Sequence, residues 1–122
     1  MHKKYLLEAT ENQLKIVSLA LDIFSRLESG QLNCCFDMIP WKHPENRIET
    51  RALLEKIQLL LTGMNNGNLG IGNVSDNARI AYDLHQVIRH YFAWKHKPVG
   101  GMTVDFDEPF HYGSDPLATV RE

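Results

Sequence analysis

Apolar residues recur every three or four positions between residues 11 and 28, which is the spacing of one face of an α-helix. The first apolar row consists of Leu14, Val17, Leu21 and Phe24. A second row covers another side of the same segment and consists of Ile16, Leu19, Ala20, Ile23 and Leu27. Thr10 and Gln13 have the spacing of a capping box, and Gly30 is typical of a helix end. The pattern predicts a first helix from about Glu11 to Glu28, and its surplus of apolar surface indicates self-association.

Two more helices are predicted further along the chain. The second begins near Pro44 to Asn46, continues through Leu61 and stops at Thr62-Gly63. The third follows Ser75 and loses its pattern beyond Trp94. Its apolar side carries Ala78, Ala81, Leu84, Val87 or Ile88, and Tyr91. The connector from Gln31 to Pro44 is compatible with an irregular segment or a short helix.

The two ends of the chain have patterns typical of extended structure. Tyr5 to Ala9 fits a short strand or an extended lead-in, and Met102 to Phe106 alternates like a half-buried strand. Residues 107–122 form a polar tail. We expect the late strand to pair with the early one or with a neighbouring subunit. The predicted fold is mainly α (α+β): one domain over residues 1–122, with three principal helices and a minor β element from the N- and C-terminal segments.

Composition and charge narrow the functional classes. Basic and acidic residues are mixed, 13 against 15, so the formal charge of −2 does not favour binding to nucleic acid or to an anionic membrane. The apolar run before Glu8 is too short for a signal peptide, and no segment approaches the about 20 apolar residues of a membrane span. We therefore expect a cytoplasmic protein. Cys34 and Cys35 are adjacent, which predicts reduced thiols acting as small core hydrophobes.

The sequence does not predict a metal ion or a cofactor. His85 and His90 are five residues apart and cannot share a helix face as metal ligands four residues apart do. Gly67, Gly70 and Gly72 match neither a P-loop nor a dinucleotide fingerprint. There is no catalytic signature, so a nucleotide-acting enzyme that uses Asp105, Asp107, His85 or His90 remains a weaker alternative.

The loop from Asn65 to Asn73 and the helix after Ser75 concentrate groups that recognise small anions. One polar stripe consists of Arg79, Asp83, Gln86 and His90. It is either a solvated face with an Arg79–Asp83 pair or a wall that faces a ligand. A second line consists of Tyr82, His85 and Arg89, where a guanidinium could clamp a phosphate and a ring could stack on a base.

The run Asn77-Ala78-Arg79-Ile80-Ala81-Tyr82-Asp83-x-x-Gln86-Val87-Ile88-Arg89-His90 also carries a family resemblance. Together with the preceding Gly/Asn loop and a first helix ending in Ser-Gly-Gln, it resembles small, mostly uncharacterised bacteriophage and prophage proteins. The size, helix count and C-terminal strand are similar to those of phage anti-Thoeris proteins, which sequester cyclic ADP-ribose signals made by bacterial TIR defence enzymes.

This resemblance implies a non-enzymatic sponge in the host bacterial cytoplasm, a homo-oligomer whose pockets bind a cyclic nucleotide. Under it, Arg79 and Arg89 would bind phosphates, and Tyr82 or Phe92 would stack on a base. Asn73 or Asn77 would bind base or ribose edges. The alternative from a different class is a protein-interaction module that uses the apolar face of helix 11–28.

Overall fold

The computed structural model describes residues 2–64 and 67–122, so Met1 and the first two residues of the predicted loop, Asn65 and Asn66, lie outside it. The α-helices within these residues are α1 (Glu11–Ser29), α2 (Leu32–Asp37), α3 (Arg47–Thr62) and α4 (Asp76–His96). Single 3₁₀ turns occupy Pro44–Asn46, Ile71–Asn73 and Val104–Phe106. The mainly helical class and the three long helices are confirmed. The connector from Gln31 to Pro44, for which the sequence allowed an irregular segment or a short helix, contains the short α2.

The helix ends form where the local sequence predicts them. Thr10 Oγ1 accepts from the Gln13 backbone N–H at 3.1 Å, and the Thr10 N–H donates to Gln13 Oε1 at 2.8 Å. This reciprocal pair is the predicted capping box. Gly30 closes α1 with a φ of 89°, a left-handed conformation that glycine adopts without steric cost. At the start of α4, the Ser75 hydroxyl caps the helix by accepting from the Ala78 N–H.

The predicted β element is wrong for the residues that the structure describes, which contain no strand. Residues 2–10 have no regular secondary structure, and Val104–Phe106 is a 3₁₀ turn. Side chains of α4 instead bind two backbone carbonyls of the late segment. His90 Nδ1–H donates to the Asp105 carbonyl at 3.0 Å, and Trp94 Nε1–H donates to the Phe106 carbonyl at 3.0 Å. These bonds replace those that a neighbouring strand would have supplied.

The C-terminal segment lies against α4 instead of pairing with the N-terminal one. Asp83, which is 4% exposed, accepts from the backbone N–H groups of Tyr112 and Gly113 at distances between 2.7 and 3.0 Å. Gln86 Oε1 accepts from the Phe110 N–H at 3.3 Å. A Cβ at Gly113 would lie 2.6 Å from Ile80 Cγ1 and 2.9 Å from its backbone nitrogen, so this approach requires glycine.

The buried face of α1 is polar, contrary to what its two apolar rows suggest. The buried residues of α1 are Ser18, Asp22, Ser25 and Ser29. They face α4, whose buried positions include Ala78 and Ala81, and small side chains on both helices allow close packing. Of the first apolar row, Phe24 is exposed and the other three are half-buried. Most of the second row is exposed as well.

The cysteine prediction is confirmed in part. Both thiols are free, as expected of sequence neighbours. Cys35 is buried with its Sγ 3.6 Å from the Ile23 carbonyl, which fits a small core residue. Cys34 is exposed, so its assignment to the core is wrong: consecutive helical residues point about 100° apart and cannot both face inward on a narrow buried stripe.

Candidate ligand-binding cleft between the first and last helices

Two cavities lie along the line where α1 meets α4. The larger, here called the basic cavity, has a volume of about 430 Å³. Its lining residues are Lys15, Ser18, Ile88, Arg89, Phe92, Ala93, His96, Lys97, Asp105 and Phe106. The second, here called the loop cavity, has a volume of about 300 Å³. Its lining residues are Asp22, Ser25, Arg26, Ser29, Gln31, Asn68, Gly70, Ile71, Val74, Tyr82 and Tyr112.

The six candidate residues named from the sequence do not form one site. Arg89 and Phe92 line the basic cavity, and Tyr82 lines the loop cavity. The three others, Asn73, Asn77 and Arg79, line neither of these cavities. Asn73 Nδ2 donates to the Leu69 carbonyl at 2.7 Å, and Arg79 Nη1 donates to the Val74 carbonyl at 2.7 Å. Both side chains therefore stabilise the loop before α4.

The C-terminal segment covers the middle of the polar stripe of α4. Asp83 and Gln86 are buried and bind the backbone of that segment. The Arg79–Asp83 pair expected for a solvated face is replaced: Arg79 binds a loop carbonyl, and Asp83 binds backbone N–H groups. A sequence pattern that suggested ligand binding thus anchors another part of the same chain.

Cationic groups surround the basic cavity. Its lining includes Lys15, Arg89, His96 and Lys97, against one carboxylate, Asp105. Arg89 Nε lies 3.2 Å from Asp105 Oδ1. Lys15 and His96 both contact Glu11, at 3.1 Å and 2.9 Å. The hydrogen bond from Lys15 and the charge of His96 lower the pKa of the Glu11 carboxyl, which keeps it ionised beside the cavity.

Aromatic rings form another part of the same cavity. Phe92 is buried, and its ring stacks on that of His96 with a centroid distance of 6.1 Å and an interplanar angle of 19°. Phe106, from the segment after α4, packs edge-on against Trp94 at 5.4 Å. The cavity therefore combines apolar ring surface with guanidinium and ammonium donors, which suits a ligand that has both a ring and a negative charge.

Between the two cavities, Ser18, His85 and Asp22 meet in an arrangement that superficially resembles a nucleophilic triad. The His85 Nδ1 lies 2.9 Å from the Ser18 carbonyl and 2.6 Å from Ser18 Oγ. Because a carbonyl can only accept, its contact favours the tautomer with the proton on Nδ1, and in that tautomer Nδ1 cannot take a proton from the serine. His85 Nε2 lies 3.4 Å from Arg89 Nη1 and 3.7 Å from Asp22 Oδ2.

His85 is held neutral at this position. Burial lowers the pKa of its imidazole, the nearby Asp22 carboxylate opposes that shift, and the Arg89 cation adds to it. Its Nδ1–H binds α1, and its unprotonated Nε2 accepts from Arg89. His85 thereby joins the two helices and helps to orient the Arg89 guanidinium at the basic cavity.

The polar groups of the loop cavity are largely paired with one another. Arg26 Nε donates to Asp22 Oδ1 at 2.9 Å, and Arg26 Nη1 donates to Gln31 Oε1 at 2.9 Å. The rings of Tyr82 and Tyr112 lie 6.0 Å apart at 39°. A ligand here would have to compete with these internal bonds, so the basic cavity is the stronger candidate.

Sequence reasoning missed Lys15, His96 and Lys97. Lys15 reaches the cavity from α1, whereas the other two lie at the end of α4 and just after it. One available signal was the 4-3-4 spacing of the four polar α1 residues 18, 22, 25 and 29, which places them on one helix face. The spacing groups these four residues, but a polar helix face is ordinarily solvated, so only the structure shows that this side of α1 meets α4.

Neither a metal cluster nor a membrane-spanning helix occurs in the parts of the chain that the structure covers. Across residues 2–64 and 67–122, no group of three or more His, Cys, Asp or Glu side chains is arranged to hold a metal ion. In the same ranges, no helix has the length and apolar character needed to cross a membrane.

Comparisons of the chain with protein-family models, curated proteins and solved structures found no match.

Proposed function

We propose that this protein binds and withholds a small anionic ligand that contains a ring, without converting it, and that the basic cavity is the binding site. The observation that carries the proposal is the meeting of three cationic side chains and a histidine with two phenylalanine rings around one cavity of about 430 Å³. This volume lies within the range of about 300–1,000 Å³ typical of small-molecule sites.

Arg89 is the central phosphate-binding candidate. It is half-buried on α4, where His85 accepts from one Nη atom and Asp105 pairs with Nε. An anionic ligand would exchange with the Asp105 carboxylate and gain the planar guanidinium donors. Lys15 and Lys97 would add charge from opposite sides of the cleft, and Phe92 would contact the ring of the ligand.

The ligand class that we propose is a cyclic nucleotide signal. It has the required phosphate charge and a base ring, and the resemblance to phage and prophage proteins supplies a biological reason to withhold it. Under this proposal the protein is phage-encoded and counters bacterial immunity by keeping the signal from its effector. Arg89 and Phe92 keep the roles expected from the sequence, and Tyr82 contacts a ligand only if it extends toward the loop cavity.

Isothermal titration calorimetry with a panel of cyclic ADP-ribose isomers, cyclic mononucleotides and inorganic phosphate tests the proposal. We expect saturable binding of at least one cyclic nucleotide, much weaker binding of phosphate alone, and unchanged ligand by chromatography after prolonged incubation. Arg89→Gln is expected to weaken binding at least about tenfold, because it removes a charge-assisted contact. The control is Lys56→Gln, which removes a cation from an exposed position on α3.

Three outcomes contradict the proposal. One is a protein that binds no member of the panel. Another is equal weakening by Arg89→Gln and Lys56→Gln, which would indicate general electrostatics instead of a site. The third is conversion of the ligand to product, which would move the assignment to an enzyme.

A further inference from the structure

The side of α1 that points away from α4 is apolar and open. Its exposed residues, here called the outer face, are Ile16, Leu19, Ala20, Phe24 and Leu27. Ile16 is 58% exposed and Phe24 46%. Apolar residues scattered singly on a surface are ordinary, but these recur at helical spacing over three turns of one helix. A continuous apolar stripe of this kind normally packs against another helix, sheet or chain.

A second open stripe lies on α3. Leu53, Ile57 and Leu60 share one side of this helix and are exposed, with Leu60 at 86%. Within the described chain α3 packs mainly against α2 and the 3₁₀ turn that precedes it, and Leu54 and Gln58 are its buried residues. Most of the stability of a helix in a protein comes from packing of its apolar face, and this stripe of α3 has no such packing within the described chain.

The total surface of the chain sets an upper bound on the area that a partner could cover. The accessible area is 8887 Å², whereas a compact monomer of 14.0 kDa is expected to expose about 6,700 Å². The excess of about 2,200 Å² per chain lies in the range that each subunit buries in a large obligate homodimer. The segment before α1 contributes to this excess, and it too exposes apolar side chains at Tyr5, Leu6 and Leu7.

We propose that the partner is a second copy of this chain, and that the outer face of α1 and the stripe on α3 together form a two-fold interface. Two open apolar stripes on one chain allow each copy to cover the other reciprocally, as a closed two-fold dimer requires. The formal charge of −2 produces little repulsion between identical chains. The interface is independent of the ligand, because none of its residues lines the basic cavity.

Sedimentation equilibrium of the full chain over a wide range of micromolar concentrations tests this proposal. We expect a species of twice the 14.0 kDa chain mass without added ligand. Leu19→Glu and Leu60→Glu each place a charge in the proposed interface and should weaken dimerisation at least about tenfold. Thr119→Glu adds the same charge at an exposed position in the C-terminal segment and should leave the dimer unchanged.

Leu60→Glu should still fold, because the Leu60 side chain is largely solvent-exposed in the single chain and contributes little to its packing. A loss of dimer in this variant is therefore not explained by unfolding. Circular dichroism should show unchanged helix content in this variant. Hydrogen exchange should be slower in α3 of the wild type than in α3 of the variant, since dimerisation would protect it. A wild-type monomer at all concentrations would overturn the proposal. So would a dimer that persists in both leucine variants, or a foreign chain bound in place of the second copy.

Discussion

Asp83 anchors the C-terminal segment, and removing its carboxylate gives the most direct test of how that segment is held. The carboxylate accepts from two backbone N–H groups, those of Tyr112 and Gly113, through three contacts of 2.7 to 3.0 Å. Hydrogen bonds to a charged group contribute about 1.5–3 kcal/mol each, so the two donors set an upper bound of about 3–6 kcal/mol. Asp83→Ala removes both bonds.

The expected loss is smaller than this bound, because the two bonds share one carboxylate and the contributions of bonds to one group are not additive. We therefore expect Asp83→Ala to lower the free energy of unfolding by about 2–4 kcal/mol. Asp83→Asn keeps one acceptor oxygen and should lose about half as much. The control is Asp107→Ala, which removes a carboxylate of the same chain end from an exposed position.

Urea denaturation followed by circular dichroism measures the loss, and limited chymotrypsin digestion locates it. The digestion should accelerate at Phe110 and Tyr112 in Asp83→Ala, because the anchored backbone becomes accessible. Equal urea midpoints and equal cleavage rates for Asp83→Ala and the wild type would refute the assignment of Asp83 as the anchor. Equal effects of Asp107→Ala would refute its specificity.

Three further predictions concern close packing, pH and thiol reactivity. Gly113→Ala should lower the free energy of unfolding by about 1–3 kcal/mol in the same urea assay, because an added Cβ meets the backbone of α4. Gly72 has open space around it, so Gly72→Ala should change the stability little. The pKa of His85 is lowered in the fold, so His85 takes up a proton at higher pH in the unfolded chain than in the folded one. The free energy of unfolding should therefore decrease as the pH falls below the ordinary value of 6.5, and His85→Gln should remove this part of the decrease. Parallel pH profiles of the wild type and the variant would contradict the assignment. Burial raises the pKa of the Cys35 thiol, whereas Cys34 is exposed, so a thiol reagent should modify one thiol per chain quickly. Cys34→Ser should abolish this fast phase, and Cys35→Ser should leave it unchanged.

Helix positions followed from the sequence because their determinants lie within a few residues. The Thr10–Gln13 box, the Gly30 cap and the Ser75 cap each involve contacts over three or four positions. The β element failed for the opposite reason. Whether Met102 to Phe106 becomes a strand depends on what offers hydrogen bonds to it, and here His90 and Trp94 offer them from a helix.

The candidate site was predictable only in the part that lies on one helix. Arg89 and Phe92 are three residues apart, so any fold that keeps α4 helical places them on neighbouring positions of one face. Lys15 joins them from α1, which no local rule indicates. Asn73 and Arg79 were attractive donors in the sequence, but loop carbonyls take up their hydrogen bonds.

By itself, the sequence determined the helical class, the ends of the long helices and the surplus of apolar surface on α1, because backbone capping and side-chain periodicity are properties of short segments. Only the tertiary structure decided which surfaces are buried. Ser18 and His85 meet across 67 residues, and that contact turns the polar side of α1 inward and leaves its apolar outer face open. Whether a helix face is buried or exposed depends on which other segment packs against it, and the periodicity of one helix carries no information about that segment.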